Sequence, residues 1–569
     1  MGRNRRGMLD SARRPRRPAG GAPAGGRALL AAVVLTQLAL VPQARAFEID
    51  TGNPDLRVLW DNTLKYSAAW RLHDPSSTLT TEPFAGWPNL DDGDRNFKRG
   101  LISNRVDLLS ELDVLYKGFG ARLSGAAWYD TVYNRTNDND SPATANNVSV
   151  PYNQFNSIVE QRHGRKAELL DAFVFGRFDL GESKATFRAG RHTLLWGESL
   201  FFGSNGIAGG QAPIDVVKAA TVPNTQFKEL MRPVEQLSGQ LQVNPNLSFG
   251  AYYRLRWQRT LLPGVGSYPS FIDFVGEGAE RLIVGTPGGP FADSPAFFRG
   301  PDMSARNSGQ GGLQARFRIG QVDYGLYAIR YHDTTPQIYL RPQAVPDFLT
   351  GQVGQYLLVY PEGIRSYGAS ATTTLGNVNF AAEVSVRRNT PLDSDAQVDA
   401  TASADNRSHP LYAVGNSVHA QVSWLASLGP SFISNEADFV GEIAWNRRTS
   451  VTSNLSALNV NATRDATNIR FVYEPKYRQV WPGVDLSVPI GLGYGLSGNS
   501  SVVGSFNGEG VGDLSIGVVG SYLDAWRFSV NYTHYFGPEG TFIDAAGHRS
   551  FKQSLRDRDF VSITLRRTF

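Results

Sequence analysis

The chain has 569 residues, of which 11% are aromatic, and it contains no Cys. The lack of Cys excludes a disulfide framework, a thiolate metal site and a cysteine nucleophile, and the aromatic content argues against intrinsic disorder. The formal net charge is +4, but the first 46 residues hold nine Arg and one Asp, so the remaining 523 residues carry −4. A basic nucleic-acid surface is therefore not expected on the main body of the protein.

A secretion signal is predicted at residues 1–46. An Arg-rich opening precedes the apolar run 28–35, and Ala44-Arg45-Ala46 then gives the small-x-small pattern that signal peptidase reads. Cleavage is predicted before Phe47, which leaves 47–569 as the exported body; the alternative is an uncleaved membrane anchor. No later stretch of roughly 18 continuous apolar residues follows, so helical membrane spans are not expected.

Alternating polarity dominates the rest of the chain. In one example Val378, Phe380, Ala382, Val384 and Val386 alternate with Asn379, Ala381, Glu383, Ser385 and Arg387. A period of two residues predicts half-buried β-strands rather than amphipathic helices. About eighteen such segments are predicted, starting near residues 56, 101, 119, 166, 184, 235, 247, 312, 322, 363, 378, 416, 434, 466, 483, 510, 526 and 554.

The connections between these segments alternate between short and long. Lys117-Gly118 and Gly376-Asn377 are two of the short turns, whereas the long gaps include 73–100, 131–165, 196–234, 261–311 and 334–362. Tight turns on one side and long polar loops on the other are typical of an outer-membrane barrel with both termini on the short-turn side. A closed barrel also leaves no unpaired strand edge, as a hydrocarbon environment requires.

Three further features favour a membrane barrel over the alternative, a soluble all-β protein. Many predicted strands exceed the roughly five or six residues usual in soluble sheets. Aromatic residues recur near strand ends, as in interfacial girdles, and the chain ends on an alternating strand at Phe569, which resembles the signal for bacterial barrel-assembly machinery. The predicted fold is an all-β transmembrane antiparallel barrel of about 18 strands (16–18), with short periplasmic turns and long extracellular loops.

Several segments resemble a family of Gram-negative outer-membrane proteins catalogued as domain of unknown function 1302. The segments that carry the resemblance are Phe47-Glu48-Ile49-Asp50-Thr51, Trp60-Asp61-Asn62-Thr63, Asn104-Arg105-Val106-Asp107-Leu108, Gly190-Arg191-His192, Trp196-Gly197-Glu198-Ser199, Lys228-Glu229-Leu230 and Asp557-Arg558-Asp559-Phe560. The resemblance spans the mature chain and implies a porin-type barrel, without an established chemistry. Members of this family are often encoded near RND-type exporters, so the resemblance suggests traffic of apolar compounds.

Charged residues on the polar face of the strands are predicted to line the lumen, because Arg or Lys facing hydrocarbon at the midplane costs about 2–4 kcal/mol. One interpretation is an electrostatic filter for a solute; the other is a set of cross-strand ion pairs that fix register. The wall candidates are Arg105, Asp107, Glu111, Asp113, Arg188, His192, Arg254, Arg256, Arg316, Arg318, Glu383, Arg387, Asp438 and Glu442.

Two long gaps have unusual compositions. Gap 196–234 combines a Gly-rich stretch with two predicted helical turns, 213–220 and 226–231, which would present Asp215, Lys218, Lys228 and Glu229 to a pore. We predict that this loop folds into the lumen and narrows it; the alternative is an external surface loop. Gap 261–311 contains five Phe together with Leu, Val and Ile, which predicts either a vestibule for a hydrophobic solute or packing into the barrel mouth.

Acidic runs offer oxygen ligands for calcium at Asp91-Asp92-Gly93-Asp94 and Asn137-Asp138-Asn139-Asp140. Neither run continues into a full twelve-residue calcium loop, so solvated turns are the favoured interpretation and no metal site is predicted. No zinc-protease HExxH or nucleophile-elbow GxSxG motif is present, and Gly491-x-Gly493-x-Gly495 lacks a following helix. No cofactor, catalytic residue or enzymatic activity is therefore expected.

The sequence thus predicts a channel in the bacterial outer membrane that passes or delivers a small solute by diffusion through a charged constriction. One form of this hypothesis has a hydrophobic solute. One alternative is a component of lipid-like traffic with an RND-type envelope transporter. Another is a plugged barrel with a structural or surface-interaction role. The expected partners are outer-membrane lipid and lipopolysaccharide, the barrel-assembly machinery through Phe569, and a periplasmic or RND-type transporter, with no nucleic acid.

Overall fold

The computed structural model describes residues 47–80 and 89–569. The predicted signal peptide 1–46 lies outside the described residues. None of the helices in the described ranges is both long and apolar enough to cross a membrane.

The described part of the chain is built mainly from β-strands. The strands are β1 (Phe47–Ile49), β2 (Leu56–Arg71), β3 (Gly100–Tyr116), β4 (Phe119–Asp130), β5 (Arg165–Leu180), β6 (Ser183–His192), β7 (Val234–Asn244), β8 (Leu247–Arg254), β9 (Arg281–Ile283), β10 (Ala296–Arg299), β11 (Gly311–Ile319), β12 (Val322–Tyr331), β13 (Gln337–Asp347), β14 (Gln352–Val359), β15 (Ile364–Leu375), β16 (Val378–Pro391), β17 (Gln397–Val398), β18 (Val414–Leu428), β19 (Glu436–Ser453), β20 (Asp465–Trp481), β21 (Val484–Ser487), β22 (Ile490–Ser497), β23 (Gly512–Tyr522), β24 (Trp526–Phe536) and β25 (Phe560–Thr568). Short helical turns lie at Ser77–Thr80, Asp92–Arg95, Ser157–Val159, Glu160–Gly164, Ile207–Gly210, Val216–Thr221, Phe227–Leu230 and Leu455–Ala457.

The main sheet closes on itself into a barrel. Strand β2 pairs antiparallel with β3 on one side and with β25 on the other, so the first and last long strands complete the cylinder. Strands β21 and β22 both lie between β20 and β23 and form one interrupted strand, while β1 pairs with the start of β2 beyond the end of β25. The described residues therefore give eighteen strand positions around the barrel, which confirms the predicted fold class.

The alternation of short turns and long loops is as predicted. Strands β3 and β4 are joined by Lys117 and Gly118, both with positive φ (47° and 91°), the backbone of a tight hairpin whose twist matches the strands it joins. The last strand is the exception to the predicted boundaries: it begins at Phe560 rather than near 554, because residues just before it are held in the extracellular loops. Arg558 is buried there in an ion pair with Asp94.

The two faces of each strand differ as a membrane barrel requires. On β16, Val384 is 54% exposed on the outside whereas Ser385 is 4% exposed on the inside. Outward-facing Leu, Val, Ile and Phe side chains recur on neighbouring strands, and large aromatic residues such as Trp60, Tyr116 and Trp481 are exposed near strand ends. A closed cylinder with an apolar outer belt satisfies its backbone internally and presents hydrocarbon to lipid. The protein is a β-barrel of the bacterial outer membrane.

The long loops on the side opposite the short turns form an extracellular cap. Within it a five-stranded sheet, ordered β17-β13-β14-β10-β9, joins segments from three different loops. Phe274 and Leu282 from the apolar gap 261–311 are buried against Leu90 and Tyr356. Most of the apolar residues of this gap therefore pack within the cap, although Val284 is exposed, and this agrees with the packing interpretation rather than with the hydrophobic vestibule.

The run Asp91-Asp92-Gly93-Asp94 is buried, so the predicted solvated turn is wrong for this run. Asp94 accepts hydrogen bonds from Arg71 (2.9 Å) and from two nitrogens of Arg558 (both 2.9 Å). Burial would raise the pKa of Asp94, but Arg558 and Arg71 outweigh it and lower the pKa below its ordinary value. The sequence could not reveal this, because both arginines are distant in sequence. In the second run Asp138 and Asp140 are exposed as predicted, but Asn139 is buried and donates to Asn96 at 3.0 Å.

The outward face of β7 allows a direct test of barrel orientation. Leu237→Arg places a charge on the outer face and is expected to lower the free energy of unfolding by about 2–4 kcal/mol. Gln240→Arg, three residues along the same strand on the lumen side, is expected to change it by about 0.5 kcal/mol. Equilibrium unfolding in urea with lipid-embedded protein measures both. Equal losses in the two variants would contradict the assignment of the two faces.

Candidate functional site

The loop between β6 and β7, residues 193–233, lies inside the barrel and is called the inward loop below. Two carboxylates on the lumen wall hold its first half by accepting backbone N–H groups. Glu383 on β16 accepts from the amides of Glu198 (2.8 Å) and Ile207 (2.5 Å). Glu442 on β19 accepts from three consecutive amides, those of residues 200, 201 and 202, at 3.2, 2.5 and 2.7 Å. The predicted inward folding of this loop is confirmed.

A cation and an amide complete this attachment. Arg387 on β16 donates from Nη2 to the carbonyl oxygens of Ser204, Asn205 and Gly206, at 2.8, 2.8 and 2.9 Å. The Asn205 side chain is enclosed by β18 and β19, where its Oδ1 lies 3.0 Å from Nδ1 of His419. Four strand positions before β16 in the barrel, Arg254 on β8 donates to the carbonyl oxygen of Gly210 at 2.9 Å.

These contacts change the role of four predicted lumen residues. Glu383, Arg387, Glu442 and Arg254 do face inward, but they are buried beneath the loop and bind its backbone. A residue covered by the loop cannot meet a passing solute, so their interpretation as filter residues is wrong. The polar residues of β18 that line the inward loop are not among the predicted lumen residues. The sequence pattern that indicates their inward orientation is the alternation of Ser417, His419, Gln421 and Ser423 with Val418, Ala420 and Val422.

An apolar contact fixes the middle of the inward loop. Ile207 is completely buried in a cluster with Trp196, Tyr252 and Tyr327. Gly368 on β15 permits this contact, because a Cβ at that position would lie 2.7 Å from Cδ1 of Ile207. The loop thus combines a hydrophobic contact with hydrogen bonds from the wall to five of its amides and three of its carbonyl oxygens, and this part of the lumen is filled by protein.

The second half of the inward loop extends to strand β23. The helical turn Val216–Thr221 starts at Asp215, whose Oδ1 accepts the Lys218 amide at 2.9 Å. Further on, Oδ1 of Asn224 accepts a hydrogen bond from Ser515 on β23 at 3.0 Å. The second helical turn is Phe227–Leu230, so both predicted helical turns are present. Lys228 and Glu229 are exposed on its surface.

A charged wall on β2 to β5 remains accessible to water. It consists of Lys65, Arg105, Asp107, Glu111, Asp113, Arg122 and Asp171. Arg122 binds both Glu111 and Asp113, the latter at 2.8 Å, and Asp107 pairs with Arg105 (2.6 Å) and Lys65 (3.3 Å). These side chains keep between 19% and 34% of their surface exposed. The predicted cross-strand ion pairs are therefore present, and they line an aqueous space.

The inward loop faces this wall. Lys218 in its second half adds to the positive potential at Lys65 on the wall. At the end of the loop, Arg232 binds Glu168 on β5 at 3.1 Å and approaches Asp215 at 3.9 Å. The charged wall and the loop segment 215–229 are thus the two sides of one region of the lumen.

The other predicted wall residues lie apart from this region. Arg188 is exposed to the lumen above Phe173, whereas His192 is buried with its Nε2 2.8 Å from Ser238. Arg316 reaches Glu198 (3.4 Å), Arg318 pairs with Asp323 (2.8 Å) beside a short turn, and Asp438 pairs with Lys476. Arg256 lies beyond the end of β8, so its predicted place on a lumen strand is wrong; the alternation of β8 stops at Arg254.

The attachment of the inward loop is tested by Glu442→Ala. This change leaves three loop amides without their acceptor, and each buried unsatisfied group costs about 1–3 kcal/mol. Hydrogen exchange of the amides at 200–202 is expected to accelerate at least tenfold. Asp438→Ala, on the same face of β19, is the matched control and should leave exchange in this segment unchanged. Unaltered protection in Glu442→Ala would refute the anchoring role.

Comparison with known proteins places the chain in a family. Three similar solved structures are the outer membrane protein OpdK of Pseudomonas aeruginosa (12% identity, 90% of this chain and 98% of that chain, TM-score 0.38), the outer membrane channel DcaP of Acinetobacter baumannii (9%, 92% and 100%, 0.37) and OmpF of Salmonella typhi (8%, 92% and 100%, 0.35). The closed barrel itself is shown by the pairing of its strands. No curated protein sequence matches the chain. A family model described as Protein of unknown function (DUF1302) matches residues 27–569, and the chain belongs to that family.

Proposed function

We propose that this barrel is a channel that carries a small polar solute across the outer membrane. The route lies between the charged wall and the segment 215–229 of the inward loop. The observation that carries the proposal is that water reaches charged side chains on both sides of this space, Asp107 and Arg122 on the wall and Lys228 and Glu229 on the loop. Transport would be diffusion, without covalent chemistry.

The mixed sign of the charges points to the chemistry of the solute. On the wall three basic residues face four acidic ones, and the loop segment carries Lys218 and Lys228 with Asp215 and Glu229. Such a surface exchanges hydrogen bonds with a solute without holding one sign of charge tightly. A polar or zwitterionic solute suits it better than an apolar one, because the apolar residues of 261–311 are used in packing the cap.

A plugged barrel is the second candidate function, and a specific observation favours it. The inward loop is attached to β8, β16, β18, β19 and β23, and the cap contains its own sheet and buried clusters. A barrel closed in this way would serve envelope structure or surface interaction. Association with an RND-type transporter, and recognition of Phe569 by the assembly machinery, remain predictions.

Conductance in planar bilayers tests the proposed route. The wild-type barrel is expected to give discrete channel events. Lys218→Glu changes the charge beside Lys65 by two units, so permeation of cations relative to anions is expected to rise several-fold, read from the reversal potential in a salt gradient.

The control is Lys117→Glu, which makes the same charge change in the turn between β3 and β4. It should leave the reversal potential near the wild-type value, because Lys117 lies outside the lumen, beside Asp55. Folded wild-type protein that gives no channel events would refute the channel and favour the plugged barrel. Identical ion selectivity in the wild type and in Lys218→Glu would show that the route does not pass the segment 215–229.

A further inference from the structure

Three carboxylates from two separate loops meet inside the extracellular cap. Asp91 and Asp92 lie at the start of the helical turn Asp92–Arg95, and Asp273 comes from the gap 261–311. One carboxylate oxygen from each residue lies within 4.8 Å of the others. All three side chains are buried, and the Asp92 amide donates to Oδ2 of Asp273 at 3.1 Å. Two ligands on opposite sides of a calcium ion, each at about 2.4 Å, would be separated by a similar distance.

The residues that line a small cavity beside this cluster include two with an oxygen atom that lacks a donor. The volume of the cavity is about 20 Å³, and Asp92, Asp273 and Asn146 are among the residues that line it. Asn146 is 1% exposed; its Nδ2 donates to Asn89 and to the Arg281 carbonyl, whereas its Oδ1 has no hydrogen-bond partner among the described residues. Asp273 is 0% exposed, and its Oδ1 likewise has none there. Buried acceptors are rarely left without a donor or a cation.

The charges around the cluster do not balance. Asp91 pairs with Arg95, and Asp94 and Asp557 share Arg71 and Arg558. The next cation, Arg281, pairs with Asp293 at 3.1 Å. Within the described residues Asp92 and Asp273 therefore have no ion-pair partner, which leaves two buried negative charges. Glu280 also lines the cavity and adds to the negative potential.

We propose that Asp91, Asp92 and Asp273, with the side-chain oxygen of Asn146, form a binding site for one calcium ion in the extracellular cap. A divalent cation supplies the missing two positive charges and gives the unpartnered oxygens a partner. Calcium fits better than magnesium, because it accepts irregular sets of carboxylate and amide oxygens, whereas magnesium keeps several of its waters. A cavity of about 20 Å³ has little room for such waters.

Protons are the competing way to neutralise the cluster. Burial, and then the neighbouring Asp91 charge, raises the pKa of Asp92 to about 8, and burial with Asp92 raises that of Asp273 well above its ordinary value. Protonation would relieve the same repulsion that a bound cation relieves. The bound ion would instead join the 89–96 and 261–311 segments to the Asn146 loop.

The test is a calcium titration of the full-length folded barrel in detergent, after removal of metal by a chelator. One calcium ion per chain is expected to bind, with a rise in the thermal unfolding midpoint. The double variant Asp92→Asn/Asp273→Asn keeps the side-chain volumes and should lose saturable binding. Asp140→Asn is the control, because that exposed acid pairs with Lys98 outside the cluster, and it should bind as the wild type does.

Each outcome decides for or against the site. Absence of calcium binding by the wild type would overturn the proposal and leave protons as the neutralising species. Binding of magnesium but not calcium would overturn the choice of ion, and unchanged binding in the folded double variant would overturn the choice of ligands. If that variant does not fold, Asn146→Ala, which removes the neutral ligand and its two hydrogen bonds but leaves the three carboxylates, should weaken calcium binding about tenfold. Unchanged affinity there would count against the site.

Discussion

The structure depends on one constraint: in hydrocarbon every backbone N–H and C=O group must find its partner within the protein. A linear sheet would expose two edges to lipid, so β2 must pair with β25 as well as with β3. The nine backbone pairs between β2 and β25 are extended at the periplasmic end, where Asn62 and Phe569 exchange two hydrogen bonds at 2.9 Å. Closure then fixes the parity of each strand, and with it the separation of an apolar outer belt from a polar interior.

The same requirement is met differently inside the barrel. The inward loop has little regular secondary structure, so its amides cannot be satisfied by a neighbouring strand. Glu442 and Glu383 accept five of these amides, and Arg387 donates to three of its carbonyl oxygens. Charged side chains on the wall thus replace a strand as the partner of the loop backbone. The loop therefore covers the wall at β16 to β19, whereas the charged wall on β2 to β5 keeps side chains exposed to water.

Much of this architecture could be predicted from the sequence because it is local. Alternation of period two located the strands, turn lengths oriented the barrel, and glycines with two helical turns indicated the inward loop. The roles of single residues depended on partners distant in sequence. Glu442 has the same inward parity as Asp438, and only the folded loop shows that one binds backbone amides while the other pairs with Lys476. Asp94 resembles a solvated turn residue until Arg71 and Arg558 are brought to it by barrel closure.

The position of those two arginines has a consequence for biogenesis. Arg71 ends the first long strand and Arg558 immediately precedes the last, so Asp94 can bind both only after the two ends of the chain have met. The segment 89–96 therefore cannot adopt its final packing in a half-built barrel. In a barrel that has not closed, the Asp94 carboxylate would lack the Arg558 side chain, and this acidic segment would stay unpaired on one side.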